Sequence, residues 1–273
     1  MTTPRVVATD LDGTIVRSDG SISPRTREAL TAAESAGAMV VIVTGRPPRW
    51  LHGIAEQTGH HGLAICANGA LVYDLHTEQV VESHPLEVAD AHRLVDELRA
   101  AIPGLAFGVE SVDVGFAHEP AYQPRWTTDA STVVAEIETL LSEPVAKLLG
   151  RHEGMGSDEL LARARAVIGE QLATLTHSSR DGLLEISAAG ISKASTLEAV
   201  CAERGLSAAD AVAFGDMPND LPMLAWAGHS VAVANAHPEV LVVADEVTAS
   251  NDEDGVAQVL ERWFGSQIGA GGR

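Results

Sequence analysis

The apolar positions of this chain fall into short unbroken runs separated by amphipathic stretches. Val6-Val7-Ala8-Thr9 predicts a buried strand, which ends abruptly at Asp10-Leu11-Asp12-Gly13-Thr14. Ser23 followed by Pro24 predicts a helix start, with the cap first and proline at the first helical position; Gly37 supplies the stop. Met39-Val40-Val41-Ile42-Val43 is a second continuous apolar strand, ending at Thr44-Gly45-Arg46-Pro47. A helix over 48–58, a strand at 63–66 and a small hairpin over 71–75 and 79–83 follow. Continuous apolar strands alternating with helices predict a parallel sheet covered on both faces.

From about His84 to Ala189 the rhythm changes. The pattern predicts helices over 87–102, 130–141 and 157–170. Strands are predicted near 105–110, 113–118, 145–150, 172–178 and 183–187. Paired strands between helices indicate an α+β layer with an antiparallel sheet. The alternating rhythm then returns, with helices at 192–204, 218–226 and 254–264 and strands at 210–214 and 230–234. The chain therefore reads as an α/β core, 1–83 and 190–273, interrupted by an inserted α+β domain, 84–189. The Gly-rich tail 265–273 is expected to lack structure.

Composition narrows the function. The 273 residues are 45% hydrophobic, enough for one large domain or two modest ones. No apolar run approaches the roughly 20 residues of a membrane-spanning helix. The start, Met-Thr-Thr-Pro-Arg, leads into the first strand without an export segment, so a cytoplasmic protein is expected. Cys66 and Cys201 are the only cysteines, too few for a disulfide framework or a structural zinc site. Thirty-eight acidic against eighteen basic residues give a formal charge of −20, which argues against nucleic-acid binding. Any site for a phosphate in such a chain needs locally fixed positive charge. Lys147 and Lys193 are the only lysines, so each invites a question.

Ligands of open parallel sheets bind beyond the carboxyl ends of the strands, and there the polar residues gather. Asp10 and Asp12 stand two apart after the first strand, with Gly13 easing a tight turn. Two such carboxylates suit a shared metal or divided nucleophile and acid/base roles. Thr44 and Gly45 follow the second strand and offer a hydroxyl and backbone N–H groups to an anionic oxygen. Lys193 opens the helix that resumes the core, where a cation opposes the helix dipole and is thereby suited to meet a ligand. Gly215-Asp216-Met217-Pro218-Asn219-Asp220 follows a later apolar strand. Each segment alone is also what an ordinary turn, helix cap or surface lysine provides; their conjunction at strand ends is what points to a site.

In that order, the segments resemble the four motifs of the haloacid dehalogenase-like hydrolase superfamily, and most closely its Cof-type sugar-phosphatase branch. Asp10-Leu11-Asp12-Gly13-Thr14 matches the first motif, Thr44-Gly45-Arg46 the second, Lys193 the third, and Gly215-Asp216 with Asn219-Asp220 the fourth. Smaller signatures also match: Ala67-Asn68-Gly69-Ala70, Val233-Ala234-Asn235-Ala236, and Asn251 to Val256. Met217-Pro218 and Ala194 depart from the pattern without changing a charged group.

The resemblance implies a Rossmann-like core carrying a cap domain, and a two-step phosphoryl transfer on a small phosphorylated metabolite. Asp10 is then the nucleophile that forms an aspartyl-phosphate, and Asp12 the general acid and base. Asp10, the backbone carbonyl of Asp12, and Asp216 hold Mg²⁺. Thr44, Lys193, Asn219 and the backbone N–H groups of Leu11 and Gly45 bind the phosphoryl oxygens. Arg46 and Asp220 stand behind them, Asp220 supporting Lys193 or the metal. A phosphomutase or phosphotransferase would use the same intermediate with an alcohol as acceptor. A binding module that lost turnover is the other class, against which all the acidic groups remain. No G-x-x-x-x-G-K-[ST] occurs, which excludes a P-loop ATP-binding protein.

Lys147 lies in a predicted strand of the inserted domain. Alternation places it on one face with Val145 and Leu149, opposite Ala146 and Leu148. A cation there would meet the polar part of a phosphorylated substrate.

Overall fold

The computed structural model describes residues 2–111, 115–128 and 132–267. The chain divides into two compact units, Met1–Val81 with Lys193–Arg273, and Glu82–Ser192. It opens with β1 (Val6–Thr9), α1 (Pro24–Ser35), β2 (Met39–Val43), α2 (His52–Thr58), β3 (Leu63–Cys66), β4 (Leu71–Asp74) and β5 (Gln79–Ser83). Then come α3 (Val88–Ala101), β6 (Ala106–Ser111), β7 (Phe116–His118), β8 (Val133–Val134), α4 (Ile137–Leu140), β9 (Val145–Arg151), α5 (Ser157–Arg165), β10 (Ala173–Thr176) and β11 (Leu183–Ala188). The first unit resumes with α6 (Lys193–Ala202), β12 (Ala211–Gly215), α7 (Leu221–Trp226), β13 (His229–Ala232), α8 (Pro238–Val243), β14 (Glu246–Val247) and α9 (Gly255–Phe264).

The first unit is built on a sheet of order β14-β13-β12-β1-β2-β3-β4-β5, parallel from β14 to β3, with β4 antiparallel to β3. Val6, Val7 and Ala8 have no exposed surface, as expected of a central strand covered on both faces. Successive strands step outward on one side of β1 (β2, β3) and on the other side of β12 (β13, β14). The order therefore reverses between β1 and β12, the position at which an open α/β sheet leaves a crevice. Thr9 is in register with Phe214, so Asp10 and Asp216 emerge beside one another at the carboxyl ends of the two strands. α1 begins and ends as its sequence predicts. Ser23 caps the N–H of Thr26, and Gly37 takes φ +87° while Ala38 N–H donates to the carbonyl of Ala33.

The second unit carries a six-stranded sheet of order β10-β11-β9-β6-β7-β8, antiparallel except between β7 and β8. Phe107, Leu148, Leu184 and Ile186 face α3 and α5 in one apolar cluster. Their neighbours Ala106, Leu149 and Leu183 face the opposite way, with Phe116 and Tyr122. Strand alternation thus separates the two faces cleanly.

Three expectations are corrected here. The predicted helix over 130–141 is the two-residue strand β8 followed by the single turn of α4, residues 130 and 131 lying outside the described residues. Val133-Val134 is β-branched and pairs with β7, which a helix would forgo. Residues 113 and 114 of the predicted strand 113–118 also lie outside the described residues. In β9, Val145 does not share a face with Lys147. It joins Leu148 in the cluster under the helices, because the pairing with β6 skips a residue: Glu110 is in register with Lys147 but Ser111 with Val145. Lys147 keeps the face of Leu149, where it pairs with Glu185 at 2.6 Å, both side chains buried. Elsewhere, α8 and β14 carry no counterpart in the pattern reading. Gly265–Gln267, expected to be unstructured, forms a 3-10 turn, and 268–273 lie outside the described residues.

Candidate active site

Four strand-end and helix-start segments of the first unit meet. Asp10 follows β1 and is held by its own N–H, which donates to the Phe214 carbonyl at 3.0 Å. Beyond it the chain folds tightly: the N–H groups of Thr14, Ile15 and Val16 all converge on the Leu11 carbonyl at 2.8–3.1 Å. Gly13 takes φ +77° in this turn, and a Cβ there would collide with the Asp216 carboxylate. Both the conformation and the approach require glycine. Thr14 Oγ1 donates to Asp216 Oδ1 at 3.1 Å, tying the first loop to the fourth.

Lys193, fully buried at the first position of α6, donates to Asp10 Oδ1 at 2.6 Å and to Asp220 Oδ1 at 2.7 Å. The other oxygen of Asp220 accepts from the N–H groups of Asp216 and Met217, both at 3.0 Å. Both oxygens of Asp220 are therefore engaged within the protein. Asp220 thus stands beside Lys193 and braces the loop after β12. Gly215 allows this fold-back, since a Cβ there would stand 2.6 Å from that of Asp220.

Carboxylate oxygens of Asp10, Asp216 and Asp220 lie within 4.8 Å of one another. Three buried carboxylates face one lysine, and the imbalance appears in the proton affinities of Asp10 and Asp216. Burial pushes Asp10 up to about 7, Lys193 opposing it while Asp220 and Asp12 add to it. Burial, then the charges of Asp10 and Asp220, push Asp216 up to about 9. Burial alone would lower the affinity of Lys193, but Asp10 and Asp220 outweigh it and raise it above its ordinary value. The lysine stays charged, and one further positive charge would suit the cluster.

Asp12 is partnered differently. Its carboxylate is largely exposed and is gripped by Arg46, whose Nε and Nη2 donate to it at 2.8 and 2.5 Å. Thr44 is buried, and its Oγ1 accepts from the N–H of Arg46 at 3.1 Å. Asn219 donates from Nδ2 to Asn68 Oδ1 at 3.0 Å, both side chains buried. Lys147 belongs to the second unit, where Glu185 engages it.

Several residues that shape the site carry no chemical signal in the sequence. Asn235 donates to the Gly13 carbonyl at 2.8 Å and accepts from Asn251 N–H at 3.0 Å, while Asn251 donates to the Val16 carbonyl at 2.8 Å. Together they brace the loop after β1 from behind. Both asparagines occur in the smaller signatures, where their types were visible but their partners were not. The carbonyl of Asp216 accepts from His237 N–H at 2.7 Å.

The family model of haloacid dehalogenase-like hydrolases matches residues 7–260. The chain is 31% identical over 269 residues to the pyridoxal phosphate phosphatase YbhA of Escherichia coli, covering 94% of this chain and 98% of that protein. It is 28% identical over 270 residues to the 5-amino-6-(5-phospho-D-ribitylamino)uracil phosphatase YitU of Bacillus subtilis, covering 96% and 98%. Among solved structures, SMU.1108c of Streptococcus mutans superposes with a TM-score of 0.84 at 22% identity, covering 96% of this chain and 99% of that one. Among the described residues no helix is long and apolar enough to cross a membrane.

Proposed function

Because the chain belongs to the haloacid dehalogenase-like hydrolases, we propose that it is a Mg²⁺-dependent phosphatase working through an aspartyl-phosphate on Asp10. The observation that carries this reading is the buried cluster of Asp10, Asp216, Asp220 and Lys193 at the point where the strand order reverses. Two relatives named above are phosphatases of small phosphomonoesters. The substrate proposed here is of that class, a sugar phosphate or similar phosphorylated metabolite, met in the cytoplasm.

The donor set suits Mg²⁺, a hard cation that takes oxygen ligands. Asp10 and Asp216 offer buried carboxylates whose charge Lys193 alone does not offset, and the absent Cβ of Gly13 keeps the Asp216 carboxylate clear. Asp10, the Asp12 carbonyl and Asp216 would hold the ion. Bound there, it would neutralise charge on the phosphoryl group and let a dianion approach two carboxylates.

Asp10 would attack phosphorus with the oxygen not held by Lys193. As the P–O bond to the leaving alcohol breaks, Asp12 would give that oxygen a proton, and would later take one from the water that hydrolyses the acyl phosphate. The Arg46 fork orients the Asp12 carboxylate, whose exposure lets it reach solvent; one arm of the fork would have to release its oxygen for the proton to be carried. Lys193, Thr44, Asn219 and the N–H groups of Leu11 and Gly45 would bind the phosphoryl oxygens as charge moves onto them. Phosphate release from p-nitrophenyl phosphate, dependent on added Mg²⁺ and abolished by chelation, tests the reading. Full turnover in verified absence of metal contradicts it.

A further inference from the structure

After β3 the chain passes through three successive residues of positive φ: Ala67 at 51°, Asn68 at 58° and Gly69 at 106°. Glycine takes such angles freely, alanine does not, and asparagine is intermediate. The segment is held there by its neighbours. Ala67 N–H donates to the Arg46 carbonyl at 3.0 Å and Asn68 N–H to the Thr44 carbonyl at 3.1 Å. The Gly69 carbonyl accepts from Thr196 Oγ1, on the helix that Lys193 opens, at 2.8 Å. Strained backbone held in place by surrounding contacts is a reason to look for function.

What the strain achieves is the placement of the Asn68 side chain. It is 3% exposed and its Oδ1 accepts from Asn219, itself 5% exposed. One bond between two amides engages one NH₂ group and one carbonyl oxygen. The Asn68 NH₂ and the Asn219 carbonyl oxygen are left buried and without a hydrogen-bond partner among the described residues. Exchanging nitrogen and oxygen in both amides leaves the same inventory, one free NH₂ and one free carbonyl. Asn219 also keeps a second N–H, for which no acceptor stands among the described residues, and a buried donor of this kind calls for a ligand that can accept from it.

We propose that Asn68 is a positioning residue for phosphate: it fixes the Asn219 amide so that its second N–H faces the phosphoryl oxygens. Without Asn68 the Asn219 amide is free to rotate, and its carbonyl oxygen can turn toward the anion and repel it. The inference rests on the phosphatase reading, in which Asn219 serves the phosphoryl group. It gives the Ala67-Asn68-Gly69 segment a task that nothing else in the site requires.

The test is binding of inorganic orthophosphate in excess Mg²⁺, by calorimetry, to the full-length protein and three variants. Asn68→Gly keeps the left-handed backbone and removes only the side chain. Its affinity for orthophosphate should fall about tenfold, the scale of one hydrogen bond to a charged group. Asn219→Ala should lose at least as much. In the double variant Asn68→Gly/Asn219→Ala, the first change should add nothing, since its effect passes through an amide already gone. A merely structural residue would instead give additive losses, and additivity overturns the proposal. So does unchanged affinity in Asn68→Gly. Should Asn68→Gly fail to fold, Asn68→Asp keeps the shape and the backbone tolerance. It places a charge beside the anion and should weaken binding by about tenfold or more; unchanged affinity there also overturns the idea. Failure of the unaltered protein to bind orthophosphate would overturn the phosphatase reading itself, a result distinct from any failure of Asn68.

Discussion

Arg46 holds Asp12 by a two-point fork, Nε and Nη2 each donating to a different carboxylate oxygen. The Asp12 side chain is 58% exposed and that of Arg46 23%, so the pair adds little to stability, of the order of 1 kcal/mol or less. Its effect is on direction. Arg46→Ala should melt within a few degrees of the parent yet lose about tenfold in kcat, because Asp12 is no longer aimed. Arg46→Lys should recover only part of that, a point charge replacing a fork. Equal kcat in all three proteins would show that the pair is ornamental.

Lys193 presents the opposite case. It is wholly buried between Asp10 and Asp220, and its removal leaves carboxylates uncompensated in the interior. Lys193→Ala should therefore lose stability as well as activity, about 3 kcal/mol at pH 8. The loss should shrink at pH 5, where Asp10, pushed up to about 7 by burial, can take up a proton. Urea unfolding at both pH values measures it, and a loss independent of pH would mean that packing rather than charge is at stake.

The raised proton affinities fix the sign of a pH dependence. Asp10 and Asp216 bind protons more tightly folded than unfolded, so their contribution favours folding below about pH 4. It is lost as pH rises through about 7 for Asp10 and about 9 for Asp216. In chelator, Asp216→Asn should gain thermal stability over the parent progressively from pH 5 to pH 8. Added Mg²⁺ competes with the same protons, so it should raise the melting temperature of the parent more at pH 8 than at pH 5, and that of Asp216→Asn little at either. An equal Mg²⁺ increment in both proteins would place the ion elsewhere.

Lys147 and Glu185 form a buried pair in the second unit. Lys147→Ala should cost about 3 kcal/mol by breaking its buried ion pair with Glu185, and Lys147→Met with Glu185→Leu should recover most of it. Scanning calorimetry on the three proteins decides it; a stable single variant would free Lys147 for a role toward substrate alone.

Much of this site was legible because its residues follow uninterrupted apolar strands. Asp10, Thr44 and Asp216 each sit where such a run stops, and a parallel sheet brings its strand ends to one edge whatever the loops between. Other features carried no such signal. Nothing in Ala67 announces a left-handed backbone, which arises from bonds to Thr44, Arg46 and Thr196 far off in sequence. The Asn68–Asn219 contact spans 151 positions and joins two residues that each look like turn formers. The skipped register beside Lys147 is a property of the β6–β9 pairing, invisible in β9 alone. Val133-Val134 precedes Ala135, Glu136 and Ile137, which are compatible with a helix; pairing to β7 overrides that local preference.

The central claim is that Asp10 becomes phosphorylated, and acid quenching within milliseconds of mixing the Mg²⁺-loaded protein with substrate tests it most directly. Mass spectrometry of the digested protein should find one phosphoryl group on the peptide bearing Asp10, labile to hydroxylamine as an acyl phosphate is. The adduct should be absent from Asp10→Asn, whose turnover should fall by about a thousandfold or more with its fold intact. Turnover of Asp10→Asn within about tenfold of the parent, or a phosphoryl group trapped on another residue, would contradict the account.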